Sequence, residues 1–469
     1  MNIKFGTEGW RGVISDDFTF RNVALVTQAV ADYLDSVRKK GDRKLVTIGY
    51  DNRFMSESFA AVCADIFGRN GYSPMLSGVP VTTPNVCQAI RANDAPLGIM
   101  VTASHNPPRF NGLKVKAPYG GPVPDWVSSE IEKRIPEAAR KLSGYSGTPR
   151  SEKTDLRRGY IDYVRMNADL GRIRKLKKKI VFDYMHGSGS GYLQNILKGS
   201  NIIGIRDTRD ALFGGVNPEP IAENLQALRK EVIRSGASAG IALDGDGDRV
   251  GVVDDRGKYL PPQTVFPLFL YYLTEYGKKK GRVIQTISLG YLSERIAAAH
   301  GLPLEEVPVG FKYVCERILK GDVLLGGEES GGYRVRGEVP DRDGMLCGMV
   351  ILEMLASTGK KLSGLVKEMK RKYGESAYFR QDLALPKVIF DRKDFSARIK
   401  DNLPSKLLGR NIKDIRSYDG VKIVLSDDSW LLLRPSGTEP KMRVYSETPS
   451  AAFTKKVIEW GVKFTLKHM

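Results

Sequence analysis

The sequence predicts an α/β protein: three similar α/β domains with mixed, mostly parallel sheets, plus a smaller C-terminal α+β domain, set around a central cleft. Three observations carry this. Short apolar segments alternate with stretches of helical periodicity, the pattern of βαβ units. The alternation restarts twice, and three times an apolar strand opens into a polar loop of glycine or small residues, at Ser104, Asp244 and Glu328. Beyond about Ser376 the alternation gives way to hairpin patterning. A chain of 469 residues also exceeds what one core supports.

Each element follows from local chemistry. Thr19 is placed to cap a helix carrying Val23, Val26, Val30, Tyr33, Leu34 and Val37 at helical spacing. Leu45 to Tyr50 reads as a strand ending at Asp51, Ser56 to Arg69 as a helix, Tyr72 to Leu76 as a weak strand and Thr83 to Ala92 as a helix. Leu97 to Val101 is the next strand, and it stops abruptly at Thr102-Ala103-Ser104-His105-Asn106-Pro107-Pro108. After a polar, basic stretch near Asp155 come a helix at Leu156 to Arg165, strands at Ile180 to Phe182 and Ile202 to Ile205, and a helix at Glu223 to Arg234. The strand Ala239 to Leu243 then ends in Asp244-Gly245-Asp246-Gly247-Asp248. A third round places elements at Phe266 to Tyr272, Val283 to Thr286, Tyr291 to Ala299 and Lys312 to Leu319, and the strand Val323 to Leu325 opens into Gly326-Gly327-Glu328-Glu329-Ser330-Gly331-Gly332. Last, Ile423 to Leu425 and Trp430 to Leu433 pair as a hairpin around Ser426 to Ser429, with a strand at Met442 to Ser446 and a helix from Ala451. The expected domains are residues 1–152, 153–256, 257–375 and 376–469.

The bulk composition narrows the function. The opening residues lack an apolar signal core, and no apolar run reaches the ~18 residues needed to span a bilayer. Four scattered cysteines form no CxxC pair, which argues for free thiols in a reducing cytoplasm and against zinc. The net charge of +19 raises nucleic-acid binding. The basic runs (Arg38-Lys39-Lys40, Lys177 to Lys179, Lys278 to Lys280) nevertheless sit at helix ends and before strands, without interleaved aromatics. Solvated positive charge, or a field that attracts an anionic small substrate, explains them better, so neither nucleic acid nor membrane is expected as a partner.

Four loops carry chemistry. Asp244, Asp246 and Asp248 alternate with glycines that let the backbone curl, so three carboxylates can converge on one hard cation. An EF-hand fits poorly, because Arg249 stands at the sixth position and Asp255 at the twelfth. Three carboxylates leave coordination positions open, which suits Mg²⁺ shared with a phosphate. Ser104 is either a turn cap or a nucleophile; adjacency to His105 does not make a dyad, and a metal loop at a neighbouring strand end favours a serine that carries or contacts phosphate. Arg434-Pro435-Ser436-Gly437-Thr438 combines a guanidinium, hydroxyls and a glycine N–H, the makings of a phosphate cradle. Glu328, Glu329 and Ser330 form either an acidic turn or a set of acceptors for vicinal sugar hydroxyls.

Thr102 to Pro107 as TASHNP, Asp244 to Arg249 as DGDGDR, Gly327 to Ser330 as GEES and Arg434 to Pro440 as RPSGTEP occur in that order. Together they closely resemble the α-D-phosphohexomutases, which include phosphoglucomutases, phosphomannomutases and phosphoglucosamine mutases, and the resemblance runs from FGTEGWRG to the C-terminal helix. It implies a phosphoserine at Ser104 and Mg²⁺ held by Asp244, Asp246 and Asp248 and touching that phosphate. It implies interconversion of hexose 1-phosphate and hexose 6-phosphate through a hexose 1,6-bisphosphate, which also serves as activator. Arg434, Ser436, Gly437 and Thr438 would then hold the unreacting phosphate, and Glu328 and Ser330 would read sugar hydroxyls. Lys114 and Arg11 would give acid–base or electrostatic help, with His105 as a supporting neighbour and Arg249, Gly310 and Lys312 at the substrate. The expected partner is a sugar phosphate and the expected assembly a monomer or homodimer. Two positions depart from the family pattern: Gly332 replaces the histidine that bifunctional phosphomannomutases and phosphoglucosamine mutases usually carry, and Arg342-Asp343-Gly344 replaces Lys-Asp-Gly. A guanidinium stabilises charge but does not act as a base at neutral pH. The second glutamate of GEES is more typical of glucose-preferring members, so glucose phosphate is the expected substrate and mannose phosphate a second. The alternatives are a phosphomannomutase or phosphoglucosamine mutase within the class and an anion- or nucleic-acid-binding protein on the same scaffold outside it.

Overall fold

In a computed structural model, every residue is described except 1–2, 7, 40, 143–151, 198–200, 387, 390, 437–439 and 469. The chain divides into two compact units: residues 1–260, 315–321 and 330–362, and residues 261–314, 322–329 and 363–469.

The first unit contains two sheets. Strands β1 (Trp10–Val13), β2 (Leu45–Tyr50), β3 (Ser73–Ser77), β4 (Leu97–Val101), β5 (Phe110–Lys116) and β6 (Lys153–Thr154) form one in the order β1-β5-β4-β2-β3-β6. β4, β2, β3 and β6 pair in parallel, whereas β5 turns back antiparallel on β4 and β1 on β5. Its core packs Val23, Val26 and Val30 of the helix Phe20–Val37 with Val46 and Ile48 of β2 and Ile99 and Val101 of β4; each such side chain contributes about 1.5–3 kcal/mol of burial. The expected cap is present: Thr19 Oγ1 accepts from the Asn22 N–H at 3.2 Å. The second sheet, ordered β11-β10-β9-β7-β8, comprises β7 (Ile180–Asp183), β8 (Ile202–Ile205), β9 (Ala239–Leu243), β10 (Val250–Asp254) and β11 (Tyr259–Leu260).

Both sheets repeat one device. A central strand, β4 or β9, lies parallel to the first buried strand of its sheet and is followed by an antiparallel partner, β5 or β10. The loop between the two lies at a carboxyl end of the sheet where strand direction switches, the place where α/β folds put their ligands. These are the Ser104 and Asp244 loops.

In the second unit β12 (Arg282–Thr286) lies parallel between β13 (Leu304–Val307) and β14 (Val323–Gly327), and β14 leads into Glu328. The C-terminal sheet is antiparallel throughout, with Ala377–Ala384 at one edge and the hairpin of Val421–Leu425 and Trp430–Pro435 near its middle. The helix Ala451–His468 covers it, and Gly461 makes that approach possible: a Cβ there would lie 2.8 Å from Leu431 Cδ1. Sheets and helices thus follow the expected mixed α/β and α+β classes. Three long helices were not foreseen: Asp125–Lys141, Gly344–Thr358 and Leu362–Tyr373. The first contains Pro136, a helix-breaking signal. The second is apolar nearly all round because it is buried nearly all round, which erases the amphipathic period.

Candidate active site

Ser104 follows β4 with φ at +52°, a left-handed backbone that a non-glycine residue keeps only when its surroundings enforce it. The enforcement comes from a fully buried arginine. Arg53 Nη1 donates to the carbonyls of Pro107 (2.9 Å) and Phe110 (3.0 Å), and its Nη2 to those of Ser104 and Asn106, both at 2.6 Å. Asp51 completes the clamp: it pairs with Arg53 Nε at 3.2 Å and accepts from Thr102 Oγ1 at 2.6 Å, while the Ser104 N–H donates to that same Thr102 Oγ1 at 2.8 Å.

The clamp aims the serine at the aspartate loop. Ser104 Oγ donates to Asp244 Oδ2 at 2.9 Å, whereas His105 Nδ1 stands farther off at 3.4 Å. The two loops touch closely: a Cβ on Gly245 would lie 2.6 Å from the Ser104 carbonyl oxygen. Asp244, Asp246 and Asp248 are buried and present ligand atoms all within 4.8 Å of one another. Each is held by donors. Asp244 Oδ1 accepts from the Arg249 N–H at 3.0 Å. Asp246 Oδ2 accepts from Lys114 Nζ (2.7 Å) and Thr83 Oγ1 (2.5 Å). Asp248 Oδ2 accepts from Lys114 Nζ and from Arg342 Nη2, each at 2.8 Å. Among the described residues, Oδ1 of Asp246 and Oδ1 of Asp248 are buried with no hydrogen-bond donor, the latter facing Arg249 Nε at 3.8 Å. Bare, buried carboxylate oxygens beside a third carboxylate are the donor set of a hard divalent cation, so these residues fit Mg²⁺.

The charges are mutually tuned. Burial, reinforced by Asp246 and Asp248, raises the Asp244 carboxyl well above the usual range. Burial acts the same way on Asp246, but the adjacent Lys114 ammonium outweighs it and holds that carboxyl low. Burial by itself lowers the Lys114 pKa, but Asp246, Asp248 and Glu8 outweigh it and raise the pKa, so the ammonium stays charged. Burial and the neighbouring Arg249, Arg11 and Lys114 charges depress His105 well below its ordinary value. Arg11 Nη1 donates to Asn106 Oδ1 at 2.8 Å, on the rim of the serine loop.

The structure therefore brings together Ser104, His105, Lys114, Arg11, the three aspartates and Arg249. Ser330 is half-buried in the same unit. In the second unit, Arg434 Nε donates to Asp419 Oδ2 at 2.9 Å, and the same oxygen accepts from the Val309 N–H at 2.8 Å, which ties the arginine to the turn before Gly310 and Lys312. Ser436 N–H donates to the Lys441 carbonyl at 2.8 Å; Gly437 and Thr438 lie outside the described residues. Glu328 is buried, and neighbouring Glu329 accepts from Ser288 Oγ. Sequence reasoning missed Asp51, Arg53, Thr83 and Asp419, none of which sits in a distinctive motif. It quoted Glu8 and Arg342 without foreseeing that they pair.

Models of the phosphoglucomutase/phosphomannomutase alpha/beta/alpha domains I, II and III match residues 2–141, 158–257 and 261–373, and the C-terminal domain of that description matches 392–459. A phosphoglucomutase/phosphomannomutase of Thermococcus kodakarensis is 30% identical over 99% of this chain and 98% of its own length. A phosphoglucosamine mutase of Parafrankia is 31% identical over 97% and 96%. The crystal structure of a provisionally named phosphomannomutase from Thermus thermophilus superposes with a TM-score of 0.86 at 33% identity, covering 99% of both chains.

Proposed function

Because the chain belongs to the α-D-phosphohexomutase family, whose members are intramolecular phosphotransferases of the isomerase class, we propose that it interconverts glucose 1-phosphate and glucose 6-phosphate with Ser104 as the phosphoryl carrier. The observation that carries this reading is the 2.9 Å contact between Ser104 Oγ and Asp244, at the edge of a carboxylate cluster with two bare oxygens.

In the forward half-reaction the P–Oγ bond of phosphorylated Ser104 breaks while the sugar's free hydroxyl oxygen forms the new P–O bond, and the proton that the hydroxyl loses ends on the departing Ser104 Oγ. In the return half-reaction the 1,6-bisphosphate passes its other phosphoryl group to Ser104 Oγ, the P–O bond to the sugar breaks, and the released sugar oxygen takes up the proton that Ser104 Oγ gives up. Such transfers depend on positioning and charge neutralisation. Mg²⁺ held by Asp244, Asp246 and Asp248 would neutralise the phosphoryl oxygens and orient them for in-line displacement. Lys114, kept charged by its carboxylate neighbours, contributes electrostatically and not as a base. Arg11 adds positive charge beside the serine loop, and neutral His105 adds none. Arg434, Ser436, Gly437 and Thr438 are assigned to the unreacting phosphate, Glu328 and Ser330 to the sugar hydroxyls, and Arg249, Gly310 and Lys312 to the substrate.

The glucose assignment rests on the GEES segment, while the relatives' names include phosphomannomutase and phosphoglucosamine mutase. After priming with glucose 1,6-bisphosphate, kcat/KM for glucose 1-phosphate is expected to exceed that for mannose and glucosamine 1-phosphates. A higher value for either of the others would transfer the assignment to that sugar.

A further inference from the structure

Arg342 and Gly332, the two departures from the family pattern, touch each other. A Cβ on Gly332 would lie 2.1 Å from Arg342 Cδ, 2.9 Å from its Cγ and 3.3 Å from its Nε, so the arginine stem occupies the space a side chain at 332 would need. Seated there, the guanidinium is nearly inaccessible and donates through Nη2 to Asp248 Oδ2 at 2.8 Å and to Glu8 Oε1. Its backbone is anchored as well. The Arg342 N–H donates to Asp341 Oδ1 at 2.9 Å, Asp341 Oδ2 accepts from Lys116 Nζ at 2.6 Å, and the Gly344 N–H donates to the Gly247 carbonyl at 3.1 Å.

The consequence lies in which oxygen is used. Arg342 and Lys114 both donate to Oδ2 of Asp248, while its buried Oδ1 receives no hydrogen bond and faces the Arg249 Nε at 3.8 Å. A carboxylate held by one oxygen can offer a cation only the other. We propose that Arg342, seated over Gly332, is a positioning residue that locks Asp248 into monodentate presentation and so favours Mg²⁺ over Ca²⁺. Mg²⁺ demands near-ideal octahedral geometry, whereas Ca²⁺ accepts bidentate carboxylates and irregular shells. Without Arg342, Asp248 Oδ2 keeps only the Lys114 ammonium, which it shares with Asp246, so the carboxylate turns more freely and brings both oxygens toward the cation, which helps Ca²⁺ more. The inference rests on the metal-binding reading above.

Charge and aim are separable by measurement. Removing a positive charge strengthens the attraction for any dication, so affinity alone does not report on geometry; the ratio of Ca²⁺ to Mg²⁺ dissociation constants cancels the charge. Each cation alone is titrated calorimetrically into the full-length protein without sugar phosphate, with circular dichroism to check the fold. Arg342→Ala is expected to shift the ratio toward Ca²⁺ by roughly tenfold, the scale typical of groups that orient metal ligands. Gly332→Ala, which keeps the arginine but removes its seat, shifts it the same way, and the double variant shifts it no further than Arg342→Ala. An unchanged ratio in folded Arg342→Ala overturns the role given to Arg342, and so does a double variant in which the two shifts add in full. Failure of the wild-type protein to bind either cation overturns the metal reading itself.

Discussion

Ser104 owes its position to residues that surround it and not to its sequence neighbours. Its left-handed backbone is stabilised by four carbonyl contacts to Arg53, and its hydroxyl is oriented by Asp244. Ser104→Ala keeps the first set and loses only the hydroxyl. It is expected to lower kcat by at least a thousandfold, on the order of the loss when a catalytic nucleophile is removed, with an unchanged melting temperature; near-wild-type turnover would remove Ser104 from the carrier role. Asp343 shows a different residue-scale effect. It caps the helix Gly344–Thr358 by accepting from the Leu346 N–H at 2.9 Å, and it accepts from Tyr160 Oη at 2.8 Å. Burial pushes its carboxyl up to about 7. The unfolded chain releases this proton near its ordinary value of about 4, so between these values the folded state binds more protons. The contribution of Asp343 to stability is complete below about pH 4 and is lost as pH rises toward 7. Asp343→Asn cannot titrate. The stability of the wild type relative to this variant is therefore expected to fall from pH 5 to pH 7 by about 1.4 kcal/mol per unit, measured by denaturant unfolding; a flat difference would contradict the raised value.

At the scale of elements, two strand–loop–strand devices work as a pair. β4 and β9 belong to different sheets, yet the loops after them interlock so closely that Gly245 has no room for a methyl group against the Ser104 carbonyl. Gly245→Ala must push the loops apart. It is expected to cost about 1–3 kcal/mol, the range for overpacking, and to reduce kcat more than it raises KM. Wild-type kinetics and stability in this variant would show that the loops are not interlocked. Much of this level was legible in advance. The strands Leu45–Tyr50, Leu97–Val101 and Ala239–Leu243 and the helices Ser56–Arg69 and Thr83–Ala92 announce themselves through short apolar runs and clear periodicity. The helix Gly344–Thr358 did not, because burial on every side removes the polar face that periodicity detects.

At the scale of the whole molecule, charge separates into two populations. Buried cations are paired: Arg53 with Asp51, Lys114 with Asp246 and Asp248, Lys116 with Asp341, and Arg342 with Asp248. The exposed runs Lys278 to Lys280 and the exposed Lys177 and Lys179 lie before β12 and β7, where they carry part of the surplus behind the net charge of +19. Among the described residues no helix is long and apolar enough to cross a membrane. A solvated surplus attracts anions without reading them. Turnover is accordingly expected to vanish on chelation of divalent cations, to return with Mg²⁺, and to be indifferent to added nucleic acid; a nucleic-acid requirement would reverse the reading of the basic runs.

The sequence by itself determined the strands Leu45–Tyr50, Leu97–Val101 and Ala239–Leu243, the small-residue loops that follow the last two and the three clustered aspartates, because these depend on residues within a few positions of one another, whereas the strands Phe110–Lys116 and Val250–Asp254 that turn back beside them were not foreseen. Tertiary structure alone decided what each loop does to the next. Lys114 meets Asp246 across 132 positions, Ser104 meets Asp244 across 140, and Arg342 meets Asp248 across 94. No spacing rule reaches that far. Which carboxylate oxygen is held and which stays bare depends on donors that only the folded chain brings within hydrogen-bond reach of it, and so does the space over Gly332 that Arg342 fills.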